Sequence, residues 1–402
     1  MNPERRGACE TRHKKTDFYK KSKYYQQSVK KYRQIGAGCA VGILLIFLVF
    51  LTLAQFRHGS EKSGQSVSSD QAEVVTPHAD EDLAASSDEP VRLVITTVGD
   101  CTLGTDESFD YDTSLNAAYE ANGKDYFFQN VRSIFQADDL TIANAEGTFT
   151  TSEDREDKQF AFKSDPEYAQ IFSSGSVEAV TLANNHSHDY GEQSFEDTKK
   201  ALDEAGVVHF GYDETAVMEI KGVKVGLVGI YELGDHLGRT EQLKDNIAKV
   251  KEEGAQLTIV VFHWGNEKEI SPDTNQTQLG HMAIDEGADL VVGHHPHVLQ
   301  GIEKYKGKYI VYSLGNFCFG GNSYPSDMDT IIFQQTFTIT SDGVQQDDQI
   351  QVTPCSISSE SYYNNYQPTP AQSDEAVRIL EKINERSQII DGEGVILPVE
   401  NS

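Results

Sequence analysis

Six apolar runs each end in a cluster of Gly, Asn, His or Asp, and this pattern restricts the chain more than any other feature. LVITTV runs into Gly99-Asp100, LTIA into Asn144-Ala145-Glu146-Gly147, and AVTLA into Asn184-Asn185-His186, with His188 and Asp189 close behind. LTIVVF runs into His263-Trp264-Gly265, DLVV into Gly293-His294-His295-Pro296-His297, and IVYS into Leu314-Gly315-Asn316-Phe317. Segments 92–98, 140–143, 178–183, 223–230, 257–262, 289–292 and 309–312 read as strands, several of them apolar on both faces, as buried parallel strands are. Helical segments separate them: Ser194 to Ala205 before Gly206, Glu241 to Glu253 before Gly254, and Gln276 to Glu286 before Gly287. Strands alternating with helices predict a layered α/β domain with its ligands at the carboxyl ends of the strands. A closing strand pair is expected over 330–340 and 344–352, and a helix with one apolar face over 374–387.

Charge divides the chain into three parts. Residues 1–34 hold 11 Lys/Arg against 3 Asp/Glu, residues 35–56 carry no charge, and the remaining 346 hold 23 Lys/Arg against 60 Asp/Glu. Ile35 to Phe56 is long enough for a hydrocarbon core of about 30 Å at roughly 1.5 Å per helical residue. The long basic leader and the poor cleavage motif Ala54-Gln55-Phe56 favour a retained single-pass transmembrane helix over a cleaved signal. Lys30, Lys31 and Arg33 abut the run, so the positive-inside rule puts segment 1–34 in the cytoplasm and the C-terminal domain outside the cell. Residues 57–90, rich in Ser, Asp, Glu and Ala, read as a solvated acidic linker. They lead to a domain over 91–355 and a C-terminal extension over 356–402 with one helix. The formal net charge of −29 excludes a nucleic-acid binder, which needs clustered Lys and Arg.

The side chains at the strand ends form a specific donor set. Imidazoles with carboxylate and amide oxygens suit divalent Mn, Fe or Zn without thiolate. Nine of the twelve histidines fall within residues 186–297, and six of those nine belong to strand-end motifs. Each motif alone has a plainer reading: Gly99-Asp100 or Asn184-Asn185 as turns, His263 as a packing residue, His281 as structural within its helix. His188 and Asp189 read as supports for neighbouring residues, and His209 and His236 stand apart from the motifs. Three imidazoles within four positions after a buried strand are hard to attribute to packing.

In this order the motifs resemble the CapA family of poly-γ-glutamate capsule biosynthesis proteins, whose fold is similar to that of the calcineurin-like metallophosphatases. The resemblance covers about residues 91–345 and rests on Gly99-Asp100, Asn184-Asn185-His186, His263-Trp264-Gly265, Gly293-His294-His295-Pro296-His297 and Ser313-Leu314-Gly315-Asn316-Phe317. It implies a two-sheet sandwich flanked by helices, with one or two divalent metal ions at the strand ends. Asp100 matches the carboxylate ligand of the first motif, and Glu146 stands where the second, bridging acidic ligand is expected. Asn185 matches the amide ligand, and His186 the adjacent acid that protonates the leaving oxygen. His263 matches the isolated histidine ligand, and His295 with His297 the closing His-x-His pair. The metallophosphatase motif begins Asp-x-His, whereas this chain has Asp100-Cys101-Thr102, one imidazole fewer.

Two functional readings follow. In one, the domain is a membrane-tethered part of a poly-γ-glutamate synthesis or export assembly, in contact with an anionic polymer. In the other, it is an extracellular metal-dependent phosphoesterase unrelated to capsule. A domain of net −37 repels a polyanion over a Debye length of about 8 Å, which would leave cations at the site as the attractive point. Cys101 and Cys318 both border the strand ends, so a disulfide between them is one expectation and two small buried thiols the other.

Overall fold

The computed structural model describes residues 89–345 and 349–399. The expected cytoplasmic segment 1–34, the membrane span 35–56 and linker residues 57–88 lie outside the described residues. Among the described residues no helix is long and apolar enough to cross a membrane.

Two mixed β-sheets face each other. In the first, the spatial order is Thr369–Pro370, Ile350–Ser356, Asp329–Thr340, Val91–Thr102, Leu140–Ala145, Ala179–Thr181, Val208–Phe210. Val91–Thr102 runs parallel to Leu140–Ala145 and antiparallel to Asp329–Thr340 along its first eight residues. At Asp100–Thr102 a short parallel strand, Asn316–Phe319, takes the second partner's place, so that Asp100 lies between Asn144 and Asn316. Gly99 permits that approach, because a Cβ there would sit 2.1 Å from the Gly315 carbonyl oxygen. The second sheet has the order Ile302–Tyr305, Lys308–Val311, Leu290–His294, Leu257–His263, Val223–Tyr231, Ala216–Ile220. Its four inner strands are parallel and its two edges antiparallel.

Hydrophobic alternation explains the layering. Leu93, Ile95, Leu140 and Ile142 of the first sheet meet Val225, Leu227, Ile259, Val261, Leu290 and Val292 of the second in one buried layer. The opposite face of the first sheet packs Val98, Ala143 and Val180 against Phe128, Phe135, Phe172 and Leu202. The second sheet's outer face packs Val228, Val260 and Val291 against Leu243, Ile247, Leu279 and Ala283. Each fully buried Val, Leu, Ile or Phe stabilises by roughly 1.5–3 kcal/mol, enough for such layers to support polar atoms at one end.

The helices that cover the sheets begin where local chemistry allows. Thr274–Asp285 opens on a capping box between Asp273 and Gln276, and Gly191–Ala205 closes on Gly206 at φ 72°. That second helix starts before the expected Ser194. The Ser194 hydroxyl sits in the first turn, accepting from the Tyr190 N–H and donating to the Gly191 carbonyl. Among the described residues, the closing strand expected over 344–352 corresponds to Gly343–Gln345 and Ile350–Ser356. The C-terminal stretch is integral to the domain: Thr369–Pro370 extends the first sheet, and helix Ser373–Gln388 buries Ile379 and Ile383 in the layer between the sheets.

The cysteine expectation resolves in favour of free thiols. Cys101 and Cys318 are register partners on adjacent strands, yet Cys101 Sγ faces the Gly99 carbonyl and Cys318 Sγ the Tyr366 carbonyl. Burial pushes both thiols well above their usual range.

Candidate metal centre

Parallel strands from both sheets end in one cleft. Register places His263 beside His294 and Tyr231 in the second sheet, and Asp100 beside Asn144 and Asn316 in the first. Asp100 joins the two sheets. Its Oδ1 accepts from Asn144 Nδ2 at 2.8 Å and pairs with His294 Nδ1 at 3.0 Å, while Oδ2 lies 3.2 Å from His297 Nδ1. Burial works against the charged carboxylate, but the hydrogen bonds from His294 and His297 outweigh it and hold Asp100 well below the usual range.

The residues expected from the motifs lie around this carboxylate. Glu146 Oε1 is 3.8 Å from both His263 Nε2 and His297 Nε2. Ligand atoms of Asp100, Glu146 and His297 fall within 4.8 Å of one another. His263 Nε2 is 2.7 Å from Asn185 Oδ1, and its ring lies 4.8 Å from that of His295 between centroids. His186 stands at the edge of the cluster, its Nδ1 held by Asp189 Oδ2 at 2.8 Å and its ring against Phe162. The turn Gly293 to His297 gathers the imidazoles at a conformational cost: His295 and His297 take φ values of 94° and 55° on either side of Pro296. Such left-handed non-glycine residues cost on the order of 1–3 kcal/mol and concentrate at functional sites.

Burial and the gathered charges set the electrostatics of the cluster. Burial pushes Glu146 up to about 8, with the Asp100 charge adding to the effect. Burial disfavours charge on His297 too, yet Glu146 and Asp100 outweigh it and raise that imidazole to about 10. Burial holds His263 well below and His295 down at about 3, so both present neutral ring nitrogens. Glu146 Oε1 and His295 Nδ1 are buried with no hydrogen-bond partner. An unpaired buried polar atom costs roughly 1–3 kcal/mol, and two Lewis bases left unpaired in one cleft fit a divalent cation.

Several contributors escaped the sequence reading. His294 reads as one more member of the His-rich motif, but its imidazole points at Asp100. Asn144 links Asp100 to His263, with Nδ2 3.3 Å from His263 Nδ1, and Asn184 donates to Asn144 Oδ1 at 3.0 Å. Asn316 Oδ1 fixes His297 Nδ1 at 2.9 Å. These second partners of metal-type ligands set ring orientation. The motifs contain all of them, yet only the register of distant strands shows what each touches. His188 stacks on Phe195, and His281 pairs with the buried Glu303, both away from the cluster.

The chain matches the family model described as "Bacterial capsule synthesis protein PGA_cap" over residues 94–321, a span that includes every residue of the cluster. It is 36% identical over 225 residues to the PGA biosynthesis protein CapA of Bacillus subtilis (strain 168), covering 50% of this chain and 58% of that protein. It is 30% identical over 257 residues to the capsule biosynthesis protein CapA of Bacillus anthracis, covering 58% of this chain and 61% of that one. A probable polyglutamine synthesis accessory protein of Mycobacterium tuberculosis is 26% identical over 212 residues, covering 45% and 55%. The matched region thus spans less than two thirds of each relative's length. With more than half of the chain matched, and the whole strand-end cluster inside the match, this protein belongs to the PGA_cap family of bacterial capsule synthesis proteins.

Proposed function

We propose that this protein acts in the synthesis or export of a poly-γ-glutamate capsule, as a single-pass membrane protein with an extracellular, metallophosphatase-like metal site. The observation that carries the metal reading is the pair of unpaired buried atoms, Glu146 Oε1 and His295 Nδ1, within a cleft already lined by Asp100, His263 and His297. The capsule reading rests on the family and on what the names of its relatives say of them. The membrane reading rests on the uncharged run 35–56 behind a basic leader.

Asp100, Glu146, Asn185, His263, His295 and His297 would hold one or two ions of Mn, Fe or Zn. Bound there, such an ion supplies Lewis acidity and a water activated near neutral pH. His186 has Nδ1 engaged by the buried Asp189, which leaves Nε2 to hand a proton to a leaving oxygen. Burial lowers His186 against the pull of Asp189, so the imidazole is neutral at physiological pH and hands on a proton only after taking one up. Asn144 and Asn316 keep His263 and His297 in fixed orientations. The His186–Asp189 pair favours turnover over passive binding, and on that account a phosphoesterase unrelated to capsule is the second reading.

Elemental analysis of the full-length protein beside Asp100→Ala and His295→Ala tests the proposal. We expect one to two equivalents of Mn, Fe or Zn in the wild type and a loss of at least half in each variant. A wild type without metal after reconstitution would overturn the metal centre. Capsule loss in His186→Ala cells would support turnover within capsule assembly, whereas a normal capsule together with lost phosphoester hydrolysis would favour the second reading.

A further inference from the structure

One ammonium group ties together the backbone of a proposed ligand and the support of the proposed acid. Lys158 Nζ lies 2.7 Å from the Asn185 carbonyl oxygen, 2.6 Å from Asp189 Oδ1 and 3.5 Å from His186 Nδ1. It comes from an irregular strap, residues 151–162, that closes over the Asn184-Asn185-His186 turn. Two buried carboxylates seat the strap. Asp106 Oδ2 accepts from Ala161 N at 2.7 Å and from Arg155 Nη2 at 2.8 Å, and Asp189 Oδ2 accepts from Phe162 N at 2.6 Å. The Glu156 N–H adds a bond to the Asp189 carbonyl at 2.9 Å.

Arg155 and Lys158 therefore differ in kind although both anchor the strap. Arg155 reaches only Asp106, the exposed Glu107 and carbonyls of the strap itself. Lys158 carries the strap's side-chain hydrogen bonds to the Asn185-His186 turn, beside the ring of Phe162 that packs on His186. Its contact with the Asn185 carbonyl fixes the backbone of the residue whose side-chain oxygen lies 2.7 Å from His263 Nε2. Its charge neutralises Asp189, whose side chain is fully buried, and so lets that carboxylate keep His186 Nδ1 engaged.

We infer that Lys158 is a positioning residue of the metal centre, holding the Asn185 amide and the His186–Asp189 pair in register through one ammonium. The inference rests on the metal reading above. Outer supports of this kind typically change metal affinity ten- to a hundred-fold.

Calorimetric titration of the full-length protein with Mn²⁺ tests it, with thermal melts alongside. Lys158→Met is expected to weaken Mn²⁺ binding about tenfold or more. Arg155→Gln, which loosens the same strap without touching the turn, is expected to stay within about twofold of wild type even where its melting temperature falls as far. Lys158→Gln keeps an N–H donor for the strap and carries the same test, at smaller amplitude, should Lys158→Met fail to fold. Unchanged affinity in the folded Lys158 variants, or an equal loss in Arg155→Gln, would overturn the inference and leave Lys158 as a loop anchor. A wild type that binds no Mn²⁺ would overturn the metal reading itself, and this inference with it.

Discussion

At the residue scale, burial decides which side chains are costly and which are useful. In the cleft, Glu146 Oε1 and His295 Nδ1 have no hydrogen-bond partner, a cost that calls for a specific explanation. At the opposite end of the first sheet, burial pushes Glu178 up to about 7 and Asp138 up to about 6, although both accept hydrogen bonds from Thr141. Both folded-state values lie above the unfolded ones, about 4.3 for Glu and 3.9 for Asp. Their contribution to stability is therefore fully present below about pH 4 and is lost as pH rises through 6 to 7. Glu178→Gln keeps an oxygen for the Thr141 N–H and removes the titration. Urea unfolding should show it more stable than wild type at pH 8 by about 1–2 kcal/mol, with the difference shrinking towards pH 5. A constant difference across that range would show that Glu178 does not titrate.

At the element scale, the C-terminal helix shows how an amphipathic segment becomes part of a core. Ser373–Gln388 buries Ile379 and Ile383 and clamps its polar edge through Asp329, whose carboxylate takes Arg378 at 2.6 Å on each oxygen and also pairs with Lys382. Burial would raise Asp329, but the hydrogen bonds from Arg378 and Lys382 outweigh it and lower it. Stability from this clamp is thus present at neutral pH and lost only as pH falls through that lowered value. Arg378 is half exposed, so solvent screening limits its share. Asp329→Ala should cost about 1–2 kcal/mol in urea unfolding at pH 7 and open the chain after residue 356 to limited proteolysis. Unchanged cleavage would mean that the apolar face alone seats the helix.

At the scale of the whole molecule, the charge asymmetry matters most. A basic leader, an uncharged run and a remainder of net −37 are what the proposed single anchor and extracellular domain rest on. Deleting residues 35–56 should move the protein from the membrane fraction to the soluble one. In intact cells the wild-type domain should be degraded by added protease while a tag at residue 1 survives. Protection of both ends would place the domain inside and remove the extracellular reading. An acidic exterior also repels a polyanion except where cations intervene, so strand-end metal would be the favoured point of contact for an anionic polymer.

What the sequence by itself determined was whatever depends on near neighbours. The apolar runs and their polar stops located the strands, because burial on two faces and close backbone approach at Gly99 leave a composition that is readable within a few residues. The donor set was legible for the same reason, since His, Asn and carboxylate at strand ends are local facts, and their order was enough to suggest the family. The tertiary structure alone decided the pairings: His294 on Asp100, Asn316 on His297, Lys158 on the Asn185-His186 turn, and Cys101 beside Cys318 without a bond. Lys158 in particular ends the charged run Glu153-Asp154-Arg155-Glu156-Asp157-Lys158, in which nothing local points to its partner Asp189. Those pairings join residues between 19 and 217 positions apart, and their geometry follows from the register of two facing sheets, a property of the packed whole that no local pattern encodes.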